Sequence, residues 1–289
     1  MPLALGTVQF GLIYGAAHSG PRPSLDQISE ILDAARAHGV KCLDTAIGYG
    51  DAEARLGQCG VRDFDVVTKI PPLPSGMSDP SSWVFEQIEA ALDRLKKDSL
   101  YAVLIHRTSD LFGSQGDAIA RGISELMAQG LTQRVGVSVY RPDELETAQQ
   151  LLPLGLVQCP ANVIDQRILN SPVVHCLNLQ GVEIHARSAY LQGILLQTPN
   201  QRNAYFDRFS SALGRWDSYL RDIRMPASHV ALGYIAGHPL VDAAVVGVQS
   251  KEQFEEAIVA AGSVFTDPAI ADLACMDEDL IDPSRWSLA

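Results

Sequence analysis

Cysteine is scarce in this chain. Five occur in 289 residues (Cys42, Cys59, Cys159, Cys176 and Cys275), an odd number with no Cys-x-x-Cys pair. That excludes a disulfide framework and reads as reduced thiols in a reducing compartment, with Cys42 and Cys159 packed inside strands. Positive charge is also short: 22 Lys and Arg stand against 34 Asp and Glu, a net charge of −12. Such a surface repels nucleic acid and anionic membrane, so neither is an expected partner, although a local basic pocket for one phosphate is still allowed. No long hydrophobic run is present. The charge-poor stretch 2–21 lacks a basic start and is broken by Gly6, Gln9, Gly11 and Gly15, which argues against a signal peptide or a membrane span and predicts a soluble, cytoplasmic protein. Also missing are a G-x-S-x-G elbow, an H-E-x-x-H helix, a P-loop and any Cys/His cluster of zinc spacing, so no metal site is expected. There is no low-complexity tract and no interdomain linker.

What is present is alternation. Short apolar runs at 3–10, 40–46, 64–70, 99–106, 134–140, 156–159, 182–188 and 243–248 read as strands, with helical periodicity between them. Ser24 with Gln27 and Ser250 with Gln253 read as capping boxes, and Pro142 suits a first helical turn. Residues 11–23 and 107–116 read as loops. Further helices are expected around 206–220, over 227–237 and over 267–281. Most of the strands do not alternate polar with apolar, as in a parallel sheet buried on both faces. Eight strand–helix units in this length predict an α/β fold of the (β/α)8 TIM barrel type, a parallel eight-stranded barrel with outer helices forming one domain over 1–289. A doubly wound sheet is second choice, because it usually carries a G-x-G-x-x-G turn after its first strand and none is found here.

Four polar residues fall at or just after the ends of consecutive strands: Asp44, Tyr49, Lys69 and His106. In a barrel these ends form the mouth, and adjacent strands lie about 5 Å apart, so the side chains can converge. A phenol with an ordinary pKa near 10 is a poor proton donor at neutral pH, and a nearby ammonium would lower that value. A lysine ending an apolar strand needs an anionic partner, which Asp44 supplies. Asp44, Lys69 and Tyr49 thus form a tuned general acid, and His106 can hydrogen-bond and orient a carbonyl oxygen. An acid beside an oriented carbonyl serves hydride transfer to an aldehyde or ketone, the hydride coming from a cofactor. Each residue also has a plain reading: a turn aspartate, a packed loop tyrosine, a snorkelling lysine, a structural histidine.

These residues resemble the aldo-keto reductase superfamily, a (β/α)8 barrel that uses NADPH or NADH without a Rossmann fold. The family's Asp-x-Ala-x-x-Tyr-Gly motif is matched by Asp44-Thr45-Ala46-Ile47-Gly48-Tyr49-Gly50, its strand-three lysine by Lys69 and its strand-four histidine by His106. The resemblance implies that Tyr49 donates the proton, Lys69 and Asp44 tune it, and His106 positions the substrate. It extends over nearly the whole chain. The opening strand with Gly6 and Thr7, the segment holding Ser138, and Gln158 with Asn162 just beyond it match parts of the family's nicotinamide site. Ser188, Tyr190, Leu191, Gln192 and Gly193 match the loop that clasps the pyrophosphate. Gly247, Gln249, Lys251, Gln253 and Glu256 match the segment that holds the adenosine end, where a helix N-terminus suits a phosphate. Two positions depart from the pattern. Val139 stands where an Asn is usual. Ser250 stands where an Arg often binds the 2′-phosphate of NADPH, leaving Lys251, a point charge rather than a fork. NADPH is the implied cofactor, with NADH possible.

The function expected is therefore reduction of an aldehyde or ketone, or oxidation of the corresponding alcohol or sugar, on a small-molecule substrate. A nucleotide-binding regulatory or sensor protein on the same barrel is the alternative, and a Schiff-base lyase or isomerase using Lys69 a more distant one. Tyr14, Tyr49, His106 and Arg107 are candidate substrate contacts, Arg107 for an anionic group. Trp83, Phe112, Tyr205 and Trp286 are further candidates for lining the pocket. The chain is expected to be a monomer or weak homo-oligomer.

Overall fold

The computed structural model describes residues 2–16 and 20–288; residues 17–19 of the expected 11–23 loop, and the two end residues, lie outside the described residues. Eight parallel strands close into a barrel in sequence order: β1 (Leu3–Gly6), β2 (Cys42–Asp44), β3 (Asp65–Ile70), β4 (Leu100–Ile105), β5 (Thr132–Ser138), β6 (Leu156–Pro160), β7 (Glu183–Arg187) and β8 (Ala243–Gly247). Closure, with β1 paired to both β2 and β8, removes the doubly wound alternative.

Side chains of a strand alternate between its two faces, so each strand carries an outward and an inward set. The outward set (Leu5, Leu43, Val66, Val103, Val137 and Ile184 among others) packs with helix residues such as Ile28, Ile31, Leu32, Ile88 and Phe254 in the main core. The inward set forms two smaller clusters, Val67, Ala102, Leu104 and Leu156 in one, and Ala4, Ala243 and Val245 in the other. Two residues beyond these along the strands stand Gly6, Lys69, His106, Gln158 and Gly247, with Asp44 two residues past Cys42. The functional candidates thus continue the inward columns upward to the mouth.

Several elements differ from expectation. β1 stops at Gly6, because the Thr7 N–H and Oγ1 both donate to the Asp44 carbonyl and turn the chain into a single helical turn over Val8–Gly11. The 107–116 loop contains a helical turn, Ser109–Phe112. The helix around 206–220 divides into a 3-10 stretch, Ala204–Phe209, and an α-helix, Ser210–Ile223. The helix expected over 267–281 is two short pieces, Pro268–Leu273 and Glu278–Ile281. Each piece starts at an aspartate (Asp267, Asp277) whose side chain accepts a backbone N–H two residues on, and between them Cys275 N–H bonds to the Ile164 carbonyl instead of continuing a helix. The Ser24–Gln27 capping box is complete. At Ser250 only half of the box forms, since the Gln253 amide oxygen accepts from Gln249 rather than from Ser250.

The segments after β6 and β7 and at the end of the chain share a satellite core of Val163, Leu191, Ile194, Phe206, Phe209, Trp216, Leu280 and Ile281. Trp216 donates to the Leu195 carbonyl at 2.9 Å. Among the described residues no helix is long and apolar enough to cross a membrane.

Candidate active site

At the mouth, Lys69 is completely buried, and its Nζ donates to Asp44 Oδ1 at 2.7 Å and to the Thr45 carbonyl at 2.8 Å. The same Asp44 oxygen accepts from Gln158 Nε2 at 2.7 Å, a bond that ties β2 to β6 across the barrel. The Lys69 ammonium lies 5.1 Å from the centre of the Tyr49 ring, and the Tyr49 and His106 rings meet edge to face at 6.0 Å. The four residues therefore converge as the strand-end positions predicted. Tyr49 is carried by a loop that packs hard on the first βα turn: a Cβ on Gly11 would sit 1.8 Å from the Tyr49 carbonyl oxygen, so no larger residue fits there without moving the tyrosine.

The electrostatics differ from expectation in one respect. Burial raises the Tyr49 phenol, and this outweighs the lowering by Lys69, so its pKa lies above the ordinary 10 rather than below. Asp44 raises it further and Arg187 lowers it. Burial pulls the Lys69 ammonium down, but Asp44 and Tyr49 outweigh it and the lysine stays charged. Buried and hydrogen-bonded to Asp44 and the Thr45 carbonyl, Lys69 presents a charged ammonium rather than the free amine that a Schiff base needs.

His106 behaves oppositely. Burial first, then the Lys69 and Arg187 charges, lower its pKa from 6.5 to about 4. A neutral imidazole at pH 7 suits hydrogen bonding to a carbonyl oxygen. The unfolded chain binds this proton below about 6.5 and the folded chain only below about 4, so stability falls as pH drops through that window. Allowing for the residue's partial exposure, the effect is on the order of 2 kcal/mol. Between pH 7 and pH 4, the unfolding free energy of His106→Gln in urea is expected to gain on wild type by that amount. An unchanging difference would show that His106 titrates normally.

A cleft of about 590 Å³ opens over these residues, large enough for a substantial ligand. Asp44, Tyr49, His106 and Tyr14 line it, with Gly6, Thr7, Ser138 and Gln158 around the strand ends. Ser188, Tyr190, Gln192 and Gly193 line it from the loop after β7, and Gly247, Gln249, Gln253 and Glu256 from the turn after β8. Ser188, Leu191 and Gln192 have φ of 66°, 46° and 51°, a left-handed cluster of non-glycine residues of the kind that gathers at ligand sites. Asn162 braces the start of that loop, its Nδ2 donating to the Ser188 carbonyl at 3.2 Å while its Oδ1 accepts from Ile164 and Asp165.

Other candidates lie elsewhere. Arg107 is exposed, pairs with Asp110 at 2.6 Å and does not line the cleft. Leu191 is buried in the satellite core. Lys251 is exposed and faces Glu255 at 3.7 Å, outside the cleft. Val139, which has no side-chain amide, is buried in the outer core. Trp83 packs in that same core, Tyr205 and Trp286 pack in the satellite core, and Phe112 stands apart on the surface. Among the cleft residues to which the sequence reading assigns no role are Tyr140 and Arg187. Tyr140 ends a predicted strand and Arg187 is one residue from the end of another, so the strand-end rule that found Lys69 and His106 could have found them. Among the described residues no group of His, Cys, Asp or Glu is placed to hold a metal ion.

The cleft fits an elongated polar cofactor. Gln9 Oε1 is buried there without a hydrogen-bond partner, an acceptor awaiting a donor. A Cβ on Gly247 would come within 2.3 Å of that same oxygen, so glycine keeps the cleft open beside it. The donors and acceptors run from Asp44 and Ser138 at the strand ends out to Gln249 and Gln253 at the start of the Lys251–Gly262 helix.

Comparison with known proteins places these observations. The family model for the aldo/keto reductase family matches residues 2–278. Aldo-keto reductase str7 of Strobilurus tenacellus is 27% identical over 194 residues, which take in 63% of this chain and 57% of that protein, so the match spans little more than half of the relative's length. Among solved structures, the holo form of aldo-keto reductase AKR11C1 from Bacillus halodurans superposes with a TM-score of 0.74 at 20% identity, covering 99% of this chain and 95% of that one. A Pseudomonas aeruginosa protein, PA4992, classed with the aldo-keto reductases, gives 0.69 at 21%, covering 92% and 91%. The structural likenesses, at these identities, speak for the barrel alone, and the family match speaks for descent: the chain belongs to the aldo/keto reductase family.

Proposed function

We propose that this chain is an NAD(P)H-dependent oxidoreductase that reduces an aldehyde or ketone, or oxidises the corresponding alcohol, with Tyr49 as general acid. The observation that carries this reading is the buried Asp44–Lys69 pair set against the Tyr49 ring beneath an open cleft. A bound nicotinamide supplies the hydride; the rest of the chemistry falls to the chain. His106, neutral, donates a hydrogen bond that orients the carbonyl oxygen. Tyr49 keeps its proton in the free site and releases it as negative charge grows on that oxygen, and the Lys69 ammonium then steadies the phenolate. Gln158 holds the Asp44 carboxylate, which keeps the lysine charged.

The residues proposed to hold the nucleotide are Gly6, Thr7, Ser138 and Gln158 at its nicotinamide end, the Ser188–Gly193 loop at its pyrophosphate, and Gly247, Gln249, Gln253 and Glu256 at its adenosine end. That last group contains a carboxylate and no cation, and Lys251 is turned to Glu255. An unpaired 2′-phosphate gains nothing there, so NADH is expected to bind at least as tightly as NADPH, contrary to the preference the family pattern implied. Fluorescence titration with both nucleotides, then a panel of aldehydes, ketones and sugars, tests the reading. Micromolar binding with turnover supports it. Absence of nucleotide binding overturns it, and binding without turnover across the panel replaces it with the sensor reading.

A further inference from the structure

Arg187 is the last residue of β7, and its guanidinium belongs to the catalytic end of the cleft. Its charge acts on Tyr14, Tyr49 and His106. It stacks over the Tyr140 ring at 4.3 Å, and Nη2 donates to the Val139 carbonyl at 3.1 Å. Among the described residues no carboxylate pairs with it. Most other partly covered arginines differ: Arg167 and Arg202 each hold an aspartate, Arg94 and Arg134 each hold a glutamate, and Arg55, which has no acid, spends both terminal nitrogens on the Phe10 and Pro23 carbonyls. A cation drawn from water into a cleft and fixed by one carbonyl and one aromatic face keeps most of its five donors unspent. Such a group is costly to hold unless an anion completes it. Glu256 lines the same cleft, but its carboxylate accepts from Ser228 at 3.0 Å and does not reach Arg187.

We propose that Arg187 binds an anionic group of the substrate, so that the preferred substrates are carbonyl compounds carrying a carboxylate or phosphate near the reacting carbon. This rests on the reductase reading and narrows it to a substrate class. It also moves the anion contact from Arg107, which is committed to Asp110, to the opposite side of the barrel mouth. The planar guanidinium presents a fork that a carboxylate or a phosphate can meet with two parallel bonds. Its hold on Tyr140 and on the Val139 carbonyl fixes that fork before the substrate arrives.

Matched pairs test the proposal. With 4-carboxybenzaldehyde and the neutral 4-methylbenzaldehyde as probes, wild type is expected to favour the carboxylate in kcat/KM by about 10- to 100-fold, mostly through KM. Arg187→Met brings that ratio to near one, and Arg187→Lys, which keeps the charge but not the fork, leaves an intermediate ratio. Glyceraldehyde 3-phosphate against glyceraldehyde gives the phosphate arm. Benzoate binding, measured by calorimetry against benzamide, reads the site without turnover. Benzoate bound by wild type and lost in Arg187→Met upholds the anion site even where no carbonyl is reduced, which would sink the reductase reading alone. A ratio near one in wild type together with no benzoate binding overturns the proposal. So does an Arg187→Met variant that weakens nucleotide binding tenfold while the ratio persists, because Arg187 would then serve the cofactor phosphates. If Arg187→Met does not fold, as judged by its thermal melt, the Arg187→Lys ratio and benzoate affinity decide in the same way.

Discussion

Tyr49→Phe is expected to lower kcat/KM for carbonyl reduction by about 10²- to 10⁴-fold, with the nucleotide dissociation constant unchanged. The substitution removes one oxygen and leaves the ring where it packs edge to face on His106. The barrel and the cleft should therefore persist, and the loss should fall on kcat. The phenol is suited to the task because it remains protonated in the free site. Burial holds it above 10, and Lys69 acts mainly after the proton has left, stabilising the anion. Steady-state kinetics on the best substrate of the panel, with a parallel fluorescence titration, checks both halves. Full activity in Tyr49→Phe would remove the tyrosine from its role and leave His106 or water as the proton source.

Lys69→Met should have the second-largest effect, and it should appear in stability as well as in rate. Methionine fills similar space, but the Asp44 carboxylate, 3% exposed, would keep only the Gln158 amide as a side-chain donor. Breaking a buried pair from one side costs about 3–5 kcal/mol, because the remaining charge is left without its counter-charge. Urea denaturation should show a loss in this range. Asp44→Asn/Lys69→Met, which neutralises both partners and keeps an acceptor for Gln158, should recover more than half of it. The single variant should also lose about 10²-fold in kcat, since the phenol then releases its proton with no ammonium beside it. A stability change under about 1 kcal/mol for Lys69→Met would mean that the Asp44–Lys69 contact carries little energy.

Much of the barrel is legible in the chain because parallel strands buried on both faces need near-continuous apolar runs, and helices between them need a 3.6-residue period. Helix starts were legible where a side chain caps them, as at Ser24. Expectation failed where a single contact redirected the chain. Thr7 turned the first strand aside by bonding to Asp44, and Asp267 and Asp277 broke the last helix into turns. The aromatics misled for a related reason. Trp83, Tyr205 and Trp286 are large apolar groups, and they were drawn into the outer and satellite cores rather than the cleft.

The sequence by itself determined the strand–helix alternation, the family and the four strand-end groups Asp44, Tyr49, Lys69 and His106, because residue type and spacing follow the periodicities of the backbone. Only the tertiary structure decided the charges. Whether a cation is spent or free depends on which carboxylate folds against it, and that is set by the folded backbone, which brings Arg107 and Lys251 to acids three and four residues on and Lys69 to one 25 residues back. Arg107 met Asp110, Lys251 faced Glu255, and Lys69 met Asp44, while Arg187 reached the cleft beside Tyr140 with no acid among the described residues to meet it. Likewise the ammonium beside Tyr49 was foreseen, but burial outweighed it and left the phenol protonated, because desolvation belongs to the closed barrel and not to any segment of it.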